Sequence, residues 1–533
     1  MADERSELEQ LRATTQALIQ ALVDQGLMSR ERADALLRQA APRATAANAS
    51  NQVAPAAAPA AAGGMVRVPY VPESLKAEIK EDIKADVMAT AREERWADPR
   101  AIPAWLRSIS LEGDIRVRAQ GEIFGDDNVP AEVFRSQTDS PAWSPDLANT
   151  QTSRQRLTLR ARLGASIKVS DDVTGGLRLV TAGSSGSPSS GSTTLGNNFN
   201  RLAVSADRAW LRWEPHHSLR FEGGRIPVPF AGTDLLWPDD LSLDGVAVRG
   251  EYTIASGLFA FATAGLFPLE EFANSKADKW LYGVQIGADW AVENNTQLRV
   301  GVGLYEFQNV EGIRESLPPP TGPRAGAAPY QTSQYPAGAR QRGNTLINLN
   351  DPTSTAAPVW GLASQFRPIN VTAGVTFSHF DPYVLGVTFD YVKNTGFDIA
   401  DIQRRAGSAF ATPLVDRTTG YQLRGQIGKP KLSERGDWQG YLAFRKFERD
   451  AWIDAFTDTT WHLGGTNYKG VSVGGAYTLD RNTTFGARWT STRNLDDGVR
   501  FLAVPSDPTS VSGNLSSAPQ KIDVIQLEVN SRF

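Results

Sequence analysis

The sequence predicts an all-β transmembrane barrel of about 16 antiparallel strands, preceded by an α-helical extension. Three observations carry this. From Ile109 to the last residue, apolar and polar side chains alternate with period two. The connections between the alternating runs are by turns short and long. Aromatic residues collect toward the ends of the runs, at Trp213, Tyr252, Tyr282, Trp290, Tyr391, Tyr421, Tyr477 and Trp489, where amphipathic rings favour a membrane interface.

Composition narrows the alternatives. A net charge of −4 argues against nucleic acid as a partner. No uncharged apolar stretch of about 18 residues exists to form a spanning helix. With no cysteine in the chain, disulfide frameworks, thiolate nucleophiles and cysteine-type zinc sites drop out. The opening MADERSELEQ lacks the charged-then-apolar pattern of a secretory signal, so export is inferred from the barrel pattern alone, with a mature N-terminus or a different start expected.

In chain order, residues 1–40 read as a helical hairpin: Leu8, Leu11, Leu18 and Leu22 recur at helical steps, Gly26 supplies a stop, and Ser29 opens a second turn toward Ala33, Leu36 and Leu37. Residues 41–64, rich in Ala, Pro, Gly, Ser and Asn without periodicity, form a linker. Residues 65–107 carry a charged helix in which Leu75, Ile79, Ile83 and Val87 recur every four positions. So narrow a stripe buries little alone and suits a short coiled coil, with a solvated charged helix as the alternative.

The barrel occupies residues 108–533. Its first strand places Ile109, Leu111, Gly113, Ile115, Val117 and Ala119 on one face, and Glu112, Asp114, Arg116, Arg118 and Gln120 on the other. The alternation returns fifteen times: at 155–169, 173–182, 204–214, 218–225, 243–253, 257–266, 279–290, 296–307, 367–379, 383–393, 419–428, 437–447, 468–479, 483–492 and 521–533. The fourth run is irregular, since Leu202 and Val204 have the opposite parity to Leu211 and Trp213. Tight connections such as Ser170-Asp171-Asp172, Pro215-His216-His217, Glu293-Asn294-Asn295 and Asp480-Arg481-Asn482 alternate with long ones, the longest at 308–366. Outer-membrane barrels have this asymmetry, with short periplasmic turns and long outer loops.

Inward parity on the first five strands collects Arg116, Arg118, Arg156, Arg160, Arg162, Arg178, Arg212 and Arg220 as channel-lining basic residues. Clustered arginines repel and lose hydration, so a water-filled lumen suits them better than a packed core. The four histidines are scattered, at His216, His217, His379 and His462, and assemble no triad or metal set, so neither an enzyme, a cofactor nor a metal is expected.

The closing strand, with Ile525, Leu527 and Val529 alternating up to a terminal Phe533, resembles the assembly signal of Gram-negative outer-membrane barrels. Together with Val68-Pro69-Tyr70-Val71-Pro72-Glu73, Trp105-Leu106-Arg107 and the strand from Leu111 to Arg118, it makes residues from about 65 onward similar to the "putative porin" family, which carries a periplasmic helical extension before its barrel. The resemblance implies a homotrimer in outer-membrane lipid, with Phe533 read by the barrel-assembly machinery. It also implies a third outer loop folded into the lumen, facing the arginines with Asp234, Asp239 and Asp240. The expected function is passive diffusion of small hydrophilic solutes and ions, with mild anion preference; the solute is not specified by the sequence. Residues 1–64 are candidates for contact with peptidoglycan or a periplasmic partner. The alternative is a barrel-anchored adhesin or envelope tether with little channel activity.

Overall fold

The structure is a computed structural model and describes residues 108–128, 149–182, 188–273, 275–293, 295–314, 321–322, 332–351, 359–406, 410, 413–496, 500–502, 511–513 and 520–533. The hairpin, linker and charged helix expected before Ser108 lie outside the described residues.

Period-two patterning becomes one closed antiparallel barrel of sixteen long strands. They are β1 (Ile109–Phe124), β2 (Arg154–Lys168), β3 (Val173–Val180), β4 (Ser205–His216), β5 (Leu219–Pro227), β6 (Ser242–Ala255), β7 (Leu258–Glu270) and β8 (Lys279–Glu293). Then come β9 (Thr296–Gln308), β10 (Pro368–Phe380), β11 (Tyr383–Asn394), β12 (Thr419–Gly428), β13 (Trp438–Phe447), β14 (Tyr468–Asp480), β15 (Thr483–Asn494) and β16 (Lys521–Arg532). A two-residue strand, Thr193–Thr194, continues the line of β3 along β2. Each strand pairs with the next, and β16 closes on β1 from Asp114↔Arg532 to Phe124↔Ile522. Closure leaves no sheet edge for another strand to join.

The seam explains two residues. Gly113 and Phe533 exchange backbone hydrogen bonds at 3.0 Å in both directions. A Cβ on Gly113 would stand 2.4 Å from Cζ of the Phe533 ring, so the glycine makes room for the chain's last side chain. The irregular fourth run has a physical cause as well. The β3–β4 register runs Arg178↔Arg208 and then Leu179↔Ala206, so Asp207 is an extra residue in a β-bulge. The bulge turns Val204 and Ala206 outward with Leu211 and Trp213, and lets Asp207 reach Arg178, whose Nη2 lies 2.5 Å from Oδ2. Trp489 departs from the belt expectation, lying in mid-β15 rather than near its end.

The described parts of several long connections pack inward. Their apolar residues fold back into the long-loop end of the barrel and form its main core, with Phe230, Trp237, Leu346, Trp360, Trp452 and Trp461 all buried. An inner-face glycine of β8 admits this packing, since a Cβ on Gly283 would meet Phe230 at 2.3 Å; Gly287 of the same face makes room for Phe261 of the neighbouring strand β7. Connection 395–418 contains a helix, α1 (Ile399–Ala406), where the composition suggested only a loop. Asp398 caps it, its Oδ1 accepting from the backbone N–H of Ala400 and Asp401.

Candidate functional site: the inner wall and the inserted loop

Leu111, Ile115, Val117, Leu157 and Leu163 are exposed on the outside of the barrel, so the alternate positions of β1 and β2 face inward. All eight arginines singled out from the sequence lie on this inner side of β1–β5. The pairing sets Arg116 directly opposite Arg160, an arrangement that repels unless acids intervene. The acids are supplied by the wall itself. Asp114 accepts from Arg162 Nε at 2.5 Å and Arg160 Nη2 at 3.0 Å. Glu528 of β16 takes Arg118 at 2.7 Å and stands 4.0 Å from Arg116, which also donates to Ser192 at 2.8 Å. Glu122 pairs with Arg156 at 2.8 Å, Glu222 with Arg212 at 2.7 Å and Glu214 with Arg220 at 2.9 Å.

The connection between β5 and β6 crosses the lumen. At one end, the Ala231 backbone donates to and accepts from Gln285 of β8, at 2.7 and 2.6 Å. Thr233 then donates to Asp390 of β11 through both its backbone N–H (3.1 Å) and its hydroxyl (2.6 Å). Asp234 lies against Arg445 of β13 at 3.0 Å and accepts from Gln422 of β12 at 2.8 Å. Leu235, Leu236 and Trp237 bury themselves in the apolar core. At the other end, Asp240 accepts from Arg160 at 2.7 Å and Arg162 at 3.3 Å. Asp239 contributes its carbonyl to Arg208 at 3.3 Å.

This arrangement corrects one expectation. The three carboxylates do not form a common face across a gap from the arginines: Asp240 sits directly on the arginine wall, while Asp234 turns to the opposite side of the barrel. The reason is that the loop is a strut whose ends need different partners.

Beside the strut lies a cavity of about 1060 Å³. Its lining runs from Ser189–Ser192 and Asp458–Thr460 at the long-loop end to Gly257, Trp290 and Gln297 at the short-turn end. Arg116, Arg118, Arg156 and Arg160 line it together with Arg424 of β12 and Arg488 of β15, which the reading of the first five strands missed. The same parity argument finds them, because Leu423 and Trp489 are exposed outside and their neighbours must point inward. Neither makes an ion pair among the described residues: Arg424 stacks 4.0 Å over the Tyr441 ring, and Arg488 donates to Thr460 at 2.8 Å.

Above the strut, residues 448–467 form a cap. Trp452, fully buried, meets Trp237, Phe307 and Tyr305 edge-on at ring separations of 5.0, 5.3 and 5.6 Å. His462, in the connection between β13 and β14, is buried at φ 53°, stacks on Tyr468 and lies 2.9 Å from Thr492 Oγ1. Burial pushes its pKa down to about 3, so it is neutral at any working pH. His216, the last residue of β4, and His217 lie with their rings 4.0 Å apart and tilted by 43° at the turn before β5.

The cap has a built-in pH response. Asp454 is buried, accepts from the Tyr335 hydroxyl, and is pushed by burial up to about 6 despite that bond. A carboxyl that ionises later in the fold than in the open chain loses stability as pH rises from about 4 to about 6, and no more above that. Protection factors across residues 448–467, which correct for the base catalysis of amide exchange, are therefore expected to be higher at pH 5 than at pH 7.5. In Asp454→Asn that difference shrinks; an unchanged difference in the variant assigns it to another group.

The description "Putative porin" matches residues 12–533. No curated protein matches the chain. Among solved structures, the outer membrane channel DcaP of Acinetobacter baumannii is 13% identical, covering 80% of this chain and 97% of its own, with a TM-score of 0.38. OprB of Pseudomonas putida is 11% identical over 82% and 97%, at 0.43. A loop-deletion mutant of OmpT, an outer membrane protein of Vibrio cholerae, is 10% identical over 80% and 100%, at 0.38. Superpositions this loose transfer no residue roles. The match over nearly the whole chain, on a closed sixteen-stranded barrel, is a different matter: the chain belongs to the family described as "Putative porin" and is an outer-membrane channel protein.

Proposed function

We propose that the barrel is a water-filled channel for passive diffusion of small hydrophilic solutes. The strut at residues 228–241 forms its constriction, and its selectivity leans mildly toward anions. The observation that carries this is the cavity, lined from the long-loop end to the short-turn end and bordered by seven arginines, Arg299 of β9 among them. The wall arginines of β1 and β2 are held in ion pairs, whereas Arg424 and Arg488 make none among the described residues and meet Asp234 and Asp458 only at longer range; this leaves the passage with an excess of positive potential. Family membership supports three further elements of the reading: a homotrimer, Phe533 as the assembly signal, and residues 1–107 as a periplasmic helical extension bearing a short coiled coil that meets peptidoglycan or a periplasmic partner.

The test is the zero-current potential of the purified protein in a planar bilayer under a tenfold potassium chloride gradient. Anion preference is expected, by roughly 10 mV or more against a limit of about 59 mV for a monovalent ion. Cation preference overturns the proposed selectivity. A silent bilayer from folded protein overturns the channel.

A further inference from the structure

We propose that the outer face of β13–β16, at the long-loop end, binds the phosphorylated headgroup of an outer-leaflet lipid. The pairing places four cations in one continuous row: Lys446 opposite Lys469, Lys469 opposite Arg493, and Arg493 opposite Lys521. All four have outward parity, sharing faces with the exposed Leu442, Phe444, Val473, Trp489, Ile525 and Leu527. Directly opposed residues stand about 5 Å apart at Cβ, and like charges so placed repel.

Among the described residues, carboxylates relieve only one of the four. Glu448 lies 2.9 Å from Lys446, whereas Lys469, Arg493 and Lys521 make no ion pair among the described residues. Asp523, one row nearer the barrel centre on the same face, pairs with none of them, and Asp496 is held by Arg449 at 2.9 Å and Arg417 at 3.7 Å. Other outward-facing cations have partners: Arg225 has Asp244 at 2.8 Å, Arg367 has Glu306 at 3.4 Å, and Lys393 has Asp416 at 3.3 Å. The unmatched row therefore stands out against the rest of the barrel's exterior.

Its height identifies the occupant. Lys446 and Arg493 are the second-last residues of β13 and β15, Lys469 is the second of β14, and Lys521 is the first of β16, all beside long connections. Below them the face is apolar, and Tyr421 of β12 continues the row beside Lys446 as an interfacial aromatic. The row thus borders the lipid-facing band at the level of the outer headgroups. Lysines there bury their stems in the apolar edge while presenting the ammonium, and Arg493 offers a fork to phosphate oxygens. From β14 to β16 the row spans about 10 Å, the width of a phosphorylated sugar headgroup.

The test is native mass spectrometry of the full-length protein in neutral detergent. The probes are a bis-phosphorylated glycolipid and its dephosphorylated counterpart, with inorganic phosphate as competitor. The wild type is expected to prefer the phosphorylated lipid by about tenfold or more, and the triple variant K469Q/R493Q/K521Q to lose that preference. Heat-modifiable migration and the zero-current potential stay unchanged, because none of the three residues faces the lumen. If the triple variant does not assemble, R493Q alone is expected to lower retention about threefold. Equal retention of both lipids, or undiminished retention by the variants, overturns the proposal. Displacement of the lipid by millimolar inorganic phosphate does so too, by showing a small-anion site.

Discussion

The double variant R160E/R162E is expected to move the zero-current potential to the cation-selective side while the barrel still assembles. Arg160, Arg162, Asp114 and Asp240 form a four-membered cluster with two charges of each sign. The substitutions turn this neutral set into four carboxylates bearing −4. Two like charges at about 4 Å cost roughly 4 kcal/mol each at the effective dielectric of a protein surface, less where the cavity water screens them. Asp240 lies in a connection and Asp114 in a strand, so Asp240 is the one to leave. The strut keeps its anchors at Gln285, Asp390 and Arg445, so the passage widens on the β1–β2 side without emptying. Increased conductance with cation preference is the expected result. The neutral variant R160Q/R162Q separates the two effects, since it removes the ion pairs without adding repulsion and should shift selectivity less. An unchanged potential in R160E/R162E would mean that the ion path does not pass this wall.

How much of this was legible in the sequence follows from the range of the interactions. The wall was readable because a strand's two faces are set by residues two apart, and Leu111, Ile115 and Val117 fix where Asp114 and Arg116 must point. The closing strand could be read for the same reason, from Ile525, Leu527 and Val529, whereas the seat of Phe533 against Gly113 was not legible, because it exists only once the barrel closes. The bulge at Asp207 left only a trace, the reversed parity of Leu202 and Val204, because one inserted residue reverses every side chain on one side of it. The neutralisation of the arginines was half visible: Asp114 and Glu122 share their face on β1, but Glu528 reaches Arg118 only through closure of the last strand onto the first. The cap was not legible. Trp237, Tyr305 and Trp452 come from three distant segments, and connection residues carry no period to say which of them turn inward.

Trp452→Ala is the sharper probe of that hidden part, and it is expected to raise conductance and channel noise. Removing a fully buried tryptophan costs about 3–5 kcal/mol, a total that includes about 0.5–1.5 kcal/mol for each edge-on ring pair lost with it. The β1–β5 wall is insulated from this loss, because the backbone bond between the cap and a strand, Glu448 N–H to Thr419 C=O, lies at β12 on the other side of the barrel. The destabilisation therefore falls on residues 448–467 and, through the Trp237 ring 5.0 Å away, on the strut. Hydrogen exchange should accelerate in both segments, while the strand amides of β1–β5 keep their protection. If exchange and conductance rise together, the aromatic cluster holds the constriction in place. If conductance rises while residues 228–241 stay protected, the cap itself was restricting flow and the strut stands on its polar anchors alone. Conductance and exchange both at wild-type values would show that Tyr335, Asp454 and the buried polar network around Asn344 hold the cap without the tryptophan.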